Sequence, residues 1–439
     1  MIFDIEKYST LPKGWSKVKL SDLADFNAKS WSNKDKPNTI HYIDISSVST
    51  GKIDEPKEML FDEAPSRARR KVSSGDIIIS TVRPNLKQFA LLDFELENLT
   101  ASTGFCTITP KKAEYTWLIY SIITTDIFTE HLVRVAQGAA YPAIKSSDIA
   151  DAYVGLPPEH ELIKFNLLVS ALWKKQSVND SMNQTLEKIA QRIFKSWFID
   201  FDPVKANKEG VAFDGLSPEI QALFPSEFEE SELGMIPKGW EVQSLSSIGD
   251  IVTGKTPSTK DKENYGEDIP FITIPDMHGK VFVTSTNKSL SRKGGDLQPN
   301  KTVKKGAIAV SCIATPGLTV LIHEDCQTNQ QINTLTPKNA TSLYMFLSLS
   351  SMSKNGLFRH DGTVFSNMNK SNFSALQVKL PAKNIMAKFD DVIRPIFDKM
   401  LLNQKNSDNL ANLRDRLLPK LISGQITVGE AQKELAEAI

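Results

Sequence analysis

The chain has 439 residues, enough for two to four domains that each bury a core of their own. Its 40% hydrophobic and 24% charged residues, without a low-complexity tract, match a globular protein and argue against a fibrous or disordered one. The 52 Lys and Arg cancel the 52 Asp and Glu, so a face that binds nucleic acid has to gather its basic residues locally.

The start, MIFDIEKYST, lacks a basic stretch followed by an apolar run, and no segment reaches the ~18 apolar residues of a membrane span. Cys106, Cys312 and Cys326 form no C-x-x-C pair, which points to reduced thiols rather than a disulfide framework or zinc ribbon. A soluble, cytoplasmic protein is expected.

In chain order, a first unit opens on LPKGW (11–15) and continues as SKVKLSDLADF. Short β-branched runs follow, GDIIIS and FCTITP, separated by Gly, Pro and Asn turns. A helical stretch, YTWLIYSIITTDIFTEHLVRVAQG, comes between them and IADAYVGLPP (149–158). A long amphipathic helix succeeds it. Phe165, Leu168, Leu172, Asn179, Met182, Leu186, Ile189 and Ile193 fall at alternating steps of three and four, with Lys175 interrupting the apolar series. Residues 200–235, rich in Pro, Gly and Glu, read as a linker with one short helical piece near Pro218 to Leu223.

The chain then repeats itself. IPKGW (236–240) answers LPKGW, KTVKKGAIAVS (301–311) answers RKVSSGDIIIS (70–80), QTNQQINTLTP (327–337) answers TASTGFCTITP (100–110), and FSALQVKLPA (373–382) answers IADAYVGLPP. The order is kept, at offsets between 224 and 231. The second copy also ends in a long helix, whose seam at an offset of 224 reads Phe389, Val392, Ile396, Asn403, Asn406, Leu410, Leu413 and Leu417. Asn179 falls on Asn403, and Lys175 on Lys399. Polar residues in matched seam places suit two helices that fix their register against each other. Each would be on the order of 55–60 Å long at ~1.5 Å per residue. Pro395 should kink the second helix or delay its start.

The expected fold is therefore α+β, with two globular domains in tandem repeat and two long antiparallel spacer helices forming a coiled coil, related by a pseudo-twofold. The expected boundaries are domain 1 at 1–158, spacer helix 1 at 159–199, the linker at 200–235, domain 2 at 236–381, spacer helix 2 at 382–424 and a tail at 425–439.

One motif points elsewhere. GDIVTGKT (249–256) matches the phosphate-binding pattern G-x-x-x-x-G-K-[ST] in full. Yet its middle residues read as a strand, Pro257 follows Thr256 at once, and no helical period comes after. The matching piece of the first copy, ADFNAKS (24–30), keeps Lys29 and Ser30 but neither glycine. A DNA phosphate suits this basic, hydroxyl-bearing turn better than ATP does. Other chemistry is missing too. There is no D/N-P-P-Y/F methyltransferase motif, no G-x-S-x-G elbow, and Pro275–Asp276 lacks an E-x-K partner. The six histidines (His41, His131, His160, His278, His323 and His360) show no metal-ligand spacing.

Several stretches resemble the specificity (S) subunits of type I restriction–modification systems. They are the two P-K-G-W openings, LEKIAQRIFKSWFIDFDPVKA (186–206), FPSEFEESELGMIPKGWE (224–241) and LRDRLLPKLISGQI (413–426). The resemblance covers essentially the whole chain. It implies two target-recognition domains reading an asymmetric, bipartite double-stranded DNA target, with a spacer that sets the gap. It also implies two methyltransferase (M) subunits, which bring S-adenosylmethionine, and two restriction (R) subunits, which use ATP and Mg. The S subunit itself is not an enzyme and holds no cofactor or metal.

DNA-contacting candidates are local choices. In the first copy they are Lys29, then Arg67, Arg69, Arg70 and Lys71 of SRARRK, then Arg83, Asn85 and Lys87 of TVRPNLKQ, and Tyr141 and Lys145 of GAAYPAIK. Arg83 or Asn85 suits a base edge and the lysines suit phosphates. In the second copy they are Lys255, Thr256, Arg292, Lys293, Lys304, Lys305, Arg359 and His360. Leu168, Leu172, Leu186 and Ile189, with Val392, Ile396, Leu410 and Leu413, are expected to hold the spacer together.

Overall fold

The computed structural model describes residues 3–32, 34–313, 315–356 and 368–438. The chain forms two compact units, the first of them discontinuous: it comprises Met1–Gln176 with Asn409–Ile439, and the second is Ser177–Asp408.

In the first unit the main strands, besides the small hairpin of Val48–Ser49 and Lys52–Ile53, are β1 (Ser16–Lys19), β2 (Ala24–Phe26), β3 (Thr39–Ile43), β4 (Lys57–Leu60), β5 (Ala68–Lys71), β6 (Ile77–Ser80), β7 (Phe89–Leu91), β8 (Leu99–Ser102) and β9 (Phe105–Pro110). Helices α1 (Thr116–Thr124) and α2 (Asp126–Val135) follow, then β10 (Tyr153–Leu156). One four-stranded sheet has the order β2-β9-β6-β7, a second the order β4-β3-β8-β5, and β1 pairs with β10. β3 and β8 run parallel. The unbroken apolar run of β6 is explained by burial on both faces. Ile77 and Ile79 enter a core with Leu118, Ile119 and Ile122 of α1, while Ile78 enters another with Ile43, Leu99 and Phe105.

The 40-residue helix α3 (Glu159–Phe198) leaves the first unit, and α4 (Asp202–Glu209) comes next. The second unit's strands are β11 (Glu241–Ser244), β12 (Gly249–Thr253), β13 (Ile269–Ile272), β14 (Ser289–Leu290), β15 (Ile308–Ser311), β16 (Thr319–Leu321), β17 (Gln327–Thr328) and β18 (Ile332–Pro337). Helix α5 (Ser342–Lys354), β19 (Gln377–Leu380), the 40-residue α6 (Lys383–Ile422) and α7 (Val428–Ala438) complete the chain. Two of its sheets repeat those of the first unit, and the third keeps the parallel pair while its edges differ: Tyr265–Gly266 adds to β14, and no strand among the described residues answers β5. β12-β18-β15-β16 matches β2-β9-β6-β7, β11 pairs with β19 as β1 does with β10, and β13 runs parallel to β17 as β3 does to β8. The repeat read from the sequence is thus a repeat of topology. Its opening motif is a turn in both copies: Trp15 N–H donates to Pro12 O and Trp240 N–H to Pro237 O, each at 3.1 Å. Gly14 and Gly239 stand at φ +93° and +82°, the left-handed position a type II turn requires.

Residues 200–235 carry more structure than a linker. Besides α4 and the turn Pro218–Gln221, Phe228–Ser231 and Gly234–Pro237 form a hairpin. Phe201, Val204, Phe224 and Ile236 enter the second unit's core, and buried Gln221 exchanges hydrogen bonds with Asn207. Spaced apolar residues among the Pro and Gly dock the segment.

The long helices follow a heptad, but not the one expected. Positions turned inward on α3 are Phe165, Val169, Leu172, Gln176, Asn179, Asn183, Leu186, Ala190, Ile193 and Trp197. On α6 they are Phe389, Ile393, Ile396, Met400, Asn403, Ser407, Leu410, Arg414, Leu417 and Leu421. Every second seam position is one residue later than the sequence pattern placed it. Ile189 and Val392 are therefore corrected to exposed sites, 41% and 38% accessible, as are Met182 and Asn406. Leu172, Leu410 and Leu413 are buried in the first unit, with Leu168 half-buried against the same core. Leu186 and Ile396 pack half-buried on the second unit's core. α6 also runs through Pro395 without a delayed start.

Within the first unit Phe165, Val169 and Leu172 share a core with Leu410, Leu417 and Leu421, and Arg414 Nη1 donates to Gln176 Oε1 at 3.1 Å. Within the second, Ala190, Phe194 and Trp197 share one with Phe389, Ile393 and Met400. There Asn403 Nδ2 donates to Asn183 Oδ1 at 3.0 Å, and Asn183 Nδ2 to Met400 O at 3.1 Å.

Candidate nucleic-acid interface

GDIVTGKT is a sheet edge. Gly249 to Thr253 pair antiparallel with Pro337 to Asn333, so the backbone is in a ladder rather than wrapped around a phosphate. Both glycines are needed for close packing. A Cβ on Gly249 would meet Thr336 O at 2.1 Å, and one on Gly254 would meet Thr328 O and Asn329 O at 2.2 Å. No helix follows Thr256; the next turn is the three-residue Lys262–Asn264.

In the first unit, backbone hydrogen bonds join four of the candidate stretches into one rim. Lys71 N–H donates to Lys29 O at 3.1 Å, Thr103 N–H to Arg67 O at 2.8 Å, Thr81 N–H to Gly104 O at 2.9 Å, and Arg83 N–H to Pro142 O at 2.7 Å. Lys29, Arg67, Arg83, Asn85, Tyr141 and Lys145 are all exposed. Arg83, at φ +49°, holds its guanidinium 4.6 Å from the centre of the Tyr141 ring. Such stacking leaves the guanidinium's N–H groups available at an aromatic platform, an arrangement suited to a nucleotide. Arg67 is tied to Asp44 at 3.1 Å, and Lys87 to Asp126 at 2.5 Å.

The SRARRK cluster is not a shared basic patch. Ala68–Lys71 is strand β5, and Arg69 is the extra residue where its register with β8 shifts. Arg69 then lies 4.8 Å from the Phe61 ring centre and Lys71 Nζ 4.3 Å from that of Trp31. Arg70 is half-buried, and its Nε has no hydrogen-bond partner among the described residues.

The second unit brings together a corresponding rim. Gly254 N–H donates to Ile332 O at 3.1 Å, Lys255 N–H to Thr328 O at 3.0 Å, and Cys312 N–H to Gln331 O at 2.8 Å. The Thr256 hydroxyl donates to Gln330 Oε1 at 2.6 Å. Lys304 and Lys305 are elsewhere. They precede β15, at the end opposite Ser311, and both bond Asp325. Their places in the repeat are those of Ser73 and Ser74. Lys293 is paired with Glu263 and Asp261, and Arg292 N–H caps onto Asp268. Arg359 and His360 lie outside the described residues. Sequence reasoning passed over the turn Asn329–Gln331, which joins β17 of one sheet to β18 of the other. Its signal was present in QTNQQINTLTP, which served only as a mark of the repeat.

All three cysteines are buried, and desolvation pushes their thiols up, to about 12 for Cys106 and Cys326 and about 11 for Cys312. Among the described residues no group of three or more His, Cys, Asp or Glu is placed to hold a metal ion, and no helix is long and apolar enough to cross a membrane.

The family described as type I restriction modification DNA specificity domain matches the chain twice, over residues 12–200 and 237–410. The chain is 32% identical to the HindI type I restriction enzyme specificity subunit of Haemophilus influenzae, over 94% of this chain and 99% of that one. It is 25% identical to the MjaIX specificity subunit of Methanocaldococcus jannaschii, over 96% and 95%. The crystal structure of a type I S subunit from M. genitalium superposes with a TM-score of 0.53 at 13% identity, covering 94% of this chain and 96% of that one, a likeness of fold.

Proposed function

From the chain's membership of the type I restriction–modification DNA specificity family, as a non-catalytic specificity subunit with tandem recognition domains, we propose how the work is divided within it. Each unit reads one half of a split, asymmetric double-stranded DNA target. The observation that carries this is the repeated order of the β2-β9-β6-β7 and β12-β18-β15-β16 sheets with different side chains on the two rims: Arg83, Asn85 and Tyr141 in one, Lys255, Thr256 and Gln330 in the other. Like topology presents each rim to DNA in a like way, and unlike side chains make the two half-sites differ.

The long helices form an antiparallel coiled-coil spacer that sets the gap between half-sites. They also dock two methyltransferase and two restriction subunits, in the cytoplasm. S-adenosylmethionine, ATP and Mg belong to those subunits. Domain 1 (1–158), spacer helix 1 (159–199), domain 2 (236–381) and spacer helix 2 (382–424) remain the working division of roles, with 200–235 assigned to the second unit's core.

The test is methylation mapping. The chain is co-expressed with an active methyltransferase subunit, and modified adenines are located across a genome. A split motif with a fixed gap is expected, and seven residues added to both helices should change the gap and leave the half-sites alone. An assembled, active complex that modifies no defined motif would overturn the reading in favour of a protein scaffold.

A further inference from the structure

The second unit's rim ends in three consecutive amide side chains, Asn329, Gln330 and Gln331. Two of them are occupied in shaping the turn. Asn329 Oδ1 accepts from Gln331 N–H at 3.0 Å, and Asn329 Nδ2 donates to Gln331 Oε1 at 3.2 Å. Gln331 O in turn holds Cys312 N–H. Gln330 is exposed, and its amide makes one contact, the hydroxyl of Thr256 on Oε1. Its Nε2 has no partner among the described residues.

The platform under this side chain is rigid. Lys255 N–H bonds Thr328 O at 3.0 Å, and Lys255 O accepts from Gln298 Nε2 at 2.8 Å. Gln298 also donates to Gln327 Oε1 at 2.8 Å, and Gln327 Nε2 reaches Gly295 O at 3.0 Å. Both glutamines are buried, at 5% and 0% accessible, with Gln298 Nε2 and both polar atoms of the Gln327 amide hydrogen-bonded. A buried, paired network of this kind fixes geometry. Gly254 lets the two strands of backbone approach, because no Cβ fits there. The matching tip of the first unit, Ser102–Thr103–Gly104, carries no amide.

We propose that Gln330 is a specificity-determining residue of the second unit that reads an adenine edge in the major groove, with Thr256 as the residue that positions its amide. The inference rests on the reading of this chain as the DNA-recognition subunit. Adenine offers an N7 acceptor beside an N6 amino donor, and a glutamine amide meets both. Nε2 donates to N7, and Oε1 accepts from N6 while its other lone pair keeps the Thr256 hydroxyl. Guanine presents two acceptors at that edge and leaves Oε1 opposed to O6.

The experiment maps methylation by the complex of the full chain with its methyltransferase subunit, for the unaltered chain and for Gln330→Ala, Gln330→Glu and Thr256→Val. Gln330 is exposed, so its truncation opens no cavity. Gln330→Ala should relax one adenine position in one half-site by on the order of 5- to 150-fold and leave the other half-site unchanged. Gln330→Glu, an acceptor only, should move preference at that position toward cytosine, whose N4 amino group donates. Thr256→Val should relax the same position more weakly. If the unaltered complex yields a split motif and both Gln330 variants keep its selectivity at every position, the proposal is overturned while the function stands. Relaxation in both half-sites at once would overturn it equally. If the unaltered complex yields no split motif, the functional reading fails first and the proposal with it.

Discussion

Replacing Gly254 with alanine separates packing from phosphate binding in GDIVTGKT. The added Cβ would stand 2.2 Å from both Thr328 O and Asn329 O. Backbone oxygens cannot swing aside as side chains do, so the strand of Thr328 or that of Gly254 has to move. Overpacking of this kind costs ~1–3 kcal/mol, and two rigid obstacles argue for the upper half of that range, about 2–3 kcal/mol. For a unit of this size that is a fall in melting temperature of about 4–12 °C. Scanning calorimetry on the full chain measures it. Gly75→Ala is the reference: nothing lies within 4 Å of its Cβ, but its φ of +90° exacts a conformational cost of ~1–2 kcal/mol. The unaltered chain and both variants should show no ATP binding. A Gly254→Ala chain melting within about 1 °C of the unaltered one would refute the close approach. Saturable ATP binding lost in that variant would restore the phosphate-loop reading.

Three further outcomes are expected. Arg83→Ala should weaken one half-site and leave the melting temperature within about 1–2 °C, since its ring contact with Tyr141 is exposed; loss at both half-sites in methylation mapping would contradict it. On the helices, Ile189→Ala should cost no more than about 0.5 kcal/mol in denaturant unfolding, whereas Trp197→Ala, truncating a buried seam side chain, should cost ~3–5 kcal/mol; equal losses would refute the observed heptad. Burial, then the Arg134 charge, lowers the pKa of His131 from its ordinary 6.5, so the unfolded chain binds the more protons just below that value. Stability should therefore fall as pH drops through about 6.5 toward the lowered folded value, and His131→Phe, set against Phe3 and Phe128, should flatten that segment of a melting-temperature profile.

The tandem α+β fold was legible because each matched sequence pair marks an element: the P-K-G-W turn, β6 with β15, β9 with β18, β10 with β19. The heptad was half legible. Phe165, Leu172, Asn179 and Leu186 of the expected seam are buried or half-buried, but the alternate positions were drawn to Leu168 and Ile189 because they are apolar. The structure puts Gln176 and Asn183 on one seam, and Ser407 and Arg414 on the other, and hydrophobic periodicity rejects such residues. The basic clusters were legible as composition only. Whether a lysine is free or tied to a carboxylate, as Lys293 and Lys304 are, depends on chain brought in from Glu263 and Asp325. The SRARRK run looked like a patch because a bulge opposite β8 cannot be read from one strand.

The division of the chain into units bears on its birth as well as its shape. The second unit is one continuous stretch and can condense while synthesis is still under way. The first cannot finish: Leu410, Leu417, Leu421 and Leu435 lie in the same core as Leu118 and Phe165, so that apolar face waits through the translation of the entire second unit. At ~5–20 residues per second this is a delay of tens of seconds or less, during which the earlier-made domain is the one in need of a chaperone. Trimming the chain near its carboxyl end should accordingly damage the amino-terminal domain first.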